Sequence, residues 1–274
     1  MKKIDSSEKI VSASLRVTGW NGNFMTFGSK YYNIFLFVDA SQDLPKFQIA
    51  PGTTLSIAVK CDSKIRAVDP HQLPSTLFRD FLLGIDCPSI PKFLNLSFER
   101  IVLSRTFNAL GTYLDCLTAD SLHLDCCELG QWSEERIQVF TPRLDLTYTI
   151  LAAATTVFAF SGLEFINIEP WKKSSANEEQ FKYLLRTNPA INEIRFASFE
   201  FDAFVLAYLK EHPNLQTLKV IYIAPFRMMV RFDEILKDAF IELKLTCPKL
   251  DTLEVKLLDH KGNGIFKLYT LDYF

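Results

Sequence analysis

Three stretches in the second half of the chain place apolar residues at the same offsets behind a proline. They are Asn188-Pro189-Ala-Ile191-Asn-Glu-Ile194-Arg-Phe196, His212-Pro213-Asn-Leu215-Gln-Thr-Leu218-Lys-Val220 and Cys247-Pro248-Lys-Leu250-Asp-Thr-Leu253-Glu-Val255. Each reads Pro-x-Leu/Ile-x-x-Leu/Ile-x-Val/Phe, and the last positions alternate apolar with polar, as a strand buried on one side does. Leu163-Glu-Phe-Ile166-Asn-Ile168 keeps the three apolar positions, with Ser161 where the proline would fall. Leu117 with Leu122-His-Leu124 is a weaker fifth match. The leading apolar positions 163, 191, 215 and 250 lie 28, 24 and 35 residues apart. Self-similarity at that period predicts stacked strand–helix units, with an insertion of about ten residues, 224–231, in the last gap.

The segments between these strands carry helical patterns. Ser175-x-x-Glu178 reads as a capping box, followed by Phe181, Leu184 and Leu185 on one helical face and Arg186 at the dipole's negative end. Asp202 and Asp233 are candidate caps for two further helices, one with Phe204, Val205, Leu206 and Leu209, the other with Leu236, Ala239, Phe240 and Leu243. Each helix stops at the residue before a proline, which is pushed out of the helical region. After the last repeat, the segments 250–259 and 265–269 around Gly262 and Gly264 predict a closing hairpin.

The first 62 residues read as β. Ile10–Val17, Phe24–Phe27, Tyr31–Val38 and Leu55–Val59 are strand-like, with hairpin chemistry at Asn21-Gly22, and predict an antiparallel meander of four or five strands. The pattern changes near Asp69-Pro70. The expected organisation is a β-rich region over 1–68 and a repeat-like domain over 69–274.

Charge and composition narrow the function classes. Thirty basic against thirty-two acidic side chains give a net charge of −2, with no long run of one sign, which argues against nucleic acid as the partner. The 24 phenylalanines imply a bulky aromatic core or apolar surface that needs a partner. The polar start of the chain lacks a secretory h-region, so the six cysteines are expected as free thiols in the cytoplasm or nucleus. Residues 146–163 are uncharged for 18 positions, yet Thr147, Tyr148, Thr149, Thr155 and Thr156 dilute them, and the expectation is a buried core helix with no membrane span. No phosphate loop, dinucleotide fingerprint, hydrolase elbow or kinase signature occurs, and no cofactor is expected. Cys116, His123, Cys126 and Cys127 are the best metal constellation, but adjacent cysteines seldom ligate one zinc, and no metal is expected. Trp20, Trp132 and Trp171 fall in predicted turns, where they pack over a core or anchor a partner.

The repeats Cys247-Pro-Lys-Leu-Asp-Thr-Leu-Glu-Val255 and His212-Pro-Asn-Leu-Gln-Thr-Leu-Lys-Val220 resemble those of F-box leucine-rich-repeat proteins. With the aromatic segment Lys30-Tyr-Tyr-Asn-Ile-Phe-Leu-Phe37, the layout is similar to the F-box-associated chains of nematodes. That resemblance implies an α/β leucine-rich-repeat-like solenoid and a non-enzymatic role in substrate recognition for a ubiquitin ligase. The F-box would hold the ligase adaptor and the repeats the target. The candidate F-box opens at Leu73-Pro74, and Cys87-Pro-Ser-Ile-Pro91 breaks its helix early. Alternatives are a standalone leucine-rich-repeat binding protein and an enzyme without a readable motif. On strands buried on one side, the residues between the leucines face outward. The expected protein-binding surface is therefore Asn192, Glu193 and Arg195, then Gln216, Thr217 and Lys219, then Asp251, Thr252 and Glu254.

Overall fold

Branched and aromatic residues in short alternating runs favour strands, and strands make up most of the described residues. The structure, a computed structural model, describes residues 10–18, 22–29, 33–38, 47–48, 54–61, 85–86, 92–100, 102–103, 116–129, 135–169, 174–198, 212, 214–223, 241, 245, 247–258 and 264–270. The class is α/β, built mainly on parallel sheet. The chain divides into two units, residues 1–141 with 153–160 and residues 142–152 with 161–274. The predicted helix after Asp202, the 224–231 insertion, residues 73–84 of the candidate F-box and the three tryptophans lie outside the described residues, and of the predicted helix after Asp233 only Ile241 and Leu245 are described, both helical.

In the first unit, β1 (Ile10–Thr18), β2 (Gly22–Ser29) and β3 (Asn33–Val38) form the expected antiparallel meander. Thr18 pairs with Gly22, so Gly22 opens β2 and does not sit in a two-residue turn. The expectation of a four- or five-strand meander is corrected at β5 (Thr54–Cys61), which joins the other side of β1 in parallel. Alternation marks a strand and its faces but carries no information about its partner's direction. The parallel run continues through β7 (Lys92–Glu99), β9 (Cys116–Asp125) and β11 (Ile137–Phe140). Short parallel pairs link β4 (Phe47–Gln48) with β6 (Ile85–Asp86), and β8 (Val102–Leu103) with β10 (Glu128–Leu129). Ile57, Leu96 and Leu122 pair across three strands and are all buried, as are Phe98 and its partner Leu124. The weak match at Leu117–Leu124 is thus a parallel strand of this first unit.

The uncharged stretch 146–163 is not one core helix. It is the end of β12 (Arg143–Thr147), the seven-residue helix α1 (Leu151–Val157) and β13 (Phe158–Ser161). Tyr148 at φ 49° ends the strand, and the β-branched Thr155-Thr156-Val157 shortens the helix. Among the described residues, no helix is long and apolar enough to cross a membrane.

In the second unit, β12, β14 (Phe165–Glu169), β15 (Glu193–Ser198), β16 (Thr217–Ile223) and β17 (Thr252–Leu258) follow one another in parallel. The three proline-led stretches therefore form neighbouring strands in the register their sequences share. Ile194 pairs with Leu218 and Leu218 with Leu253, while Phe196, Val220 and Val255 hold the next matching row. Ile191, Ile194, Leu215, Leu218 and Leu250 are buried at 1% exposure or less. The tail folds back as expected, β18 (Gly264–Thr270) pairing antiparallel with β17.

The same backbone step recurs at the start of each strand. Pro142 O accepts from Glu164 N and Phe165 N at 2.8 and 2.9 Å, and Glu164 O from Asn192 N and Glu193 N at 2.8 and 3.2 Å. Asn192 O then accepts from Gln216 N and Thr217 N, both at 2.9 Å, and Gln216 O from Asp251 N and Thr252 N at 3.0 and 3.1 Å. Just before each step a turn closes on the residue ahead of proline. Ile191 N donates to Asn188 O (3.2 Å), Leu215 N to His212 O (3.3 Å) and Leu250 N to Cys247 O (2.9 Å). Proline suits the second place of such turns because its ring pre-sets φ. The stretch without proline departs here: Gly162 takes φ 75°, and Leu163 N donates to the side-chain Oδ1 of Asn188 (3.1 Å).

Helix α2 (Ser175–Thr187) buries Phe181, Leu184 and Leu185, as its periodicity predicts. Its cap lies one residue earlier than the capping-box expectation: Ser174 accepts from Asn177 N at 3.2 Å and Ser175 is the first helical residue. Two adjacent serines satisfy a cap equally well in sequence, and only the extended backbone of Ser174 separates them. Ser174→Ala should cost about 1 kcal/mol in chemical denaturation, while Ser175→Ala should stay within about 0.5 kcal/mol. Equal losses would overturn the assignment of the cap.

Candidate protein-binding face

In the second unit, alternation divides each strand between two faces. On β12, Leu144 and Leu146 are buried, Arg143 is exposed, and Asp145 and Thr147 are half-buried. On β15, Ile194 is buried between half-buried Glu193 and Arg195, and on β16, Leu218 is buried beside half-buried Thr217. Register assembles two rows on the partly exposed face: Arg143, Phe165, Glu193, Thr217 and Thr252, then Asp145, Asn167, Arg195, Lys219 and Glu254.

Of the nine expected contact residues, Glu193, Arg195, Thr217, Lys219, Thr252 and Glu254 lie in these rows. The side chains of Lys219 and Glu254 are outside the described residues. Asn192, Gln216 and Asp251 stand one residue ahead of the strands, where the backbones of Asn192 and Gln216 supply the forked carbonyls. Gln216 and Asp251 are exposed and Asn192 is half-buried. They form a separate line along the strand starts.

Sequence reasoning missed the middle of the face. Phe165 is only 8% exposed, although it belongs to the polar row. Two guanidiniums cover it, Arg143 Cζ lying 4.1 Å and Arg195 Cζ 4.7 Å from the ring centroid. Each arginine is held by a carboxylate two residues away on its own strand. Arg143 Nε and Nη2 donate to Asp145 Oδ2 and Oδ1 at 2.8 and 3.4 Å. Arg195 Nε and Nη2 reach Glu193 Oε1 at 2.8 and 2.7 Å. The hydrogen bond it donates to Asp145 pushes the Arg143 guanidinium further into its charged form. Pairs this exposed add little to stability. They fix the orientation of the arginines over the ring, where a cation contributes roughly 0.5–1 kcal/mol at exposed sites. The signal that could have found this group is Thr141-Pro142-Arg143-Leu144-Asp145-Leu146, a further Leu-x-Leu copy whose proline falls at a different phase.

A polar ladder runs along the turns. Lys249 Nζ donates to Asn214 Oδ1 at 2.8 Å, and Asn214 Nδ2 donates to Pro189 O at 2.7 Å. Below it, the residues ahead of the prolines, Asn188, His212 and Cys247, are all buried. His212 Nε2 lies 3.3 Å from Asn188 O, and its buried Nδ1 has no hydrogen-bond partner among the described residues. Burial is the main cause that pushes the imidazole below its ordinary value of 6.5, against the Asn188 hydrogen bond. The neutral ring is thus favoured by the fold. Its stabilising contribution is full above the unfolded value and is lost as pH falls through about 6.5 towards the folded value. The thermal midpoint should drop between about pH 7 and about pH 5. His212→Asn, which installs the residue of the neighbouring turn, should flatten that drop; an unchanged slope would remove His212 as its source.

Of the sequence's metal constellation, the side chain of Cys116 lies outside the described residues. Cys127 is buried with its thiol donating to Phe98 O at 3.3 Å, and His123 is half-buried between the fully buried Leu122 and Leu124. Cys126 sits at φ 52°, and burial, with a hydrogen bond to Asp125, pushes its thiol up. Among the described residues, no three His, Cys, Asp or Glu side chains converge to hold a metal ion, and Cys126, Cys127 and Cys247 form no disulfide.

No protein-family model, curated protein or solved structure matches the chain.

Proposed function

We propose that the chain is a non-enzymatic protein-interaction scaffold whose second unit is a leucine-rich-repeat-like solenoid. One observation carries this reading. Among the described residues, β12 and β15 of the second unit alternate buried and partly exposed residues, as β14 does from Ile166 onward, whereas parallel sheets in ordinary α/β domains are covered on both faces and read as apolar runs. A parallel sheet with one polar face is the geometry of stacked repeats that bind partners along their inner surface. The partner is a protein: the face mixes paired charges of both signs with amides and hydroxyls, unlike the basic surface that phosphate backbones require. The resemblance of the repeats to F-box proteins supports a role as the target-recognition subunit of a ubiquitin ligase in the cytoplasm or nucleus.

The test is affinity purification of tagged wild-type chain and of the variant Arg195→Glu with Lys219→Glu, with mass spectrometry of the bound proteins. Wild type should recover a ligase adaptor together with target proteins. The variant should keep the adaptor and lose the targets, at a stability cost within about 1 kcal/mol. Undiminished target capture would remove this face as the binding site. Absence of an adaptor from the wild-type sample would remove the ligase role.

A further inference from the structure

We draw no further inference here: the strongest candidate, the two guanidiniums of Arg143 and Arg195 stacked on Phe165 in the second unit's sheet, belongs to the face already described.

Discussion

Leu218→Ala should destabilise the chain by about 2–5 kcal/mol, read as a fall in the denaturant midpoint. Leu218 is 1% exposed and pairs in register with Ile194 on one side and Leu253 on the other. Removing its side chain takes away apolar burial and leaves a void in the middle of a continuous row, where both neighbours are fixed by their own ladders. The adjacent Thr217→Ala, on the half-buried face, should cost no more than about 0.5–1 kcal/mol. If the two variants were equally tolerated, the alternation that separates core from half-buried face would be wrong for this strand.

The second large effect is expected at Asn188. Its Oδ1 accepts from Leu163 N at 3.1 Å, while its Nδ2 donates to Leu184 O at 3.0 Å and to Thr187 Oγ1 at 3.1 Å. Its backbone N–H caps α2 on Leu184 O, and its carbonyl receives Ile191 N. The main-chain bonds survive substitution and the side-chain bonds do not. Asn188→Ala leaves the Leu163 N–H in a buried place without an acceptor, and a group stranded in this way costs roughly 1–3 kcal/mol. With the lost packing, about 2–4 kcal/mol should disappear. Hydrogen exchange at Leu163 offers a local readout: its amide should lose protection in the variant beyond the change in global stability. Unaltered protection there would show that Asn188 is not its acceptor in solution.

Much of the second unit is legible in the sequence. Ile191, Leu215 and Leu250 could be aligned because each follows a proline at the same offset, and a turn closed by proline fixes the phase of the strand after it. Copies without that punctuation were harder to place. Leu163 reaches its position through a positive-φ glycine and a side chain 25 residues away, a solution that leaves no local pattern. Phe165 was invisible for a different reason. An aromatic residue at an outward position reads as an irregularity until register brings an arginine from each neighbouring strand over it. In the first unit, β1, β2, β3 and β5 are legible from alternation, whereas β7 and β11 and the parallel attachment of β5 to β1 are not, since crossover direction depends on long-range packing and not on alternation. The paired serines at 174 and 175 show the limit at its finest grain, a cap displaced by one residue.

The charge pairing on the face has an evolutionary corollary. Asp145 neutralises Arg143 within one strand, and Glu193 neutralises Arg195 within another. Each such strand carries its own counter-ion, and Glu193 acts on Arg143 across the sheet only as a further charge. A pair can be inverted, or exchanged for uncharged residues, without stranding a charge on the strand beside it. The face can therefore be rewritten one strand at a time, each revision altering its charge pattern while the sheet beneath continues to fold.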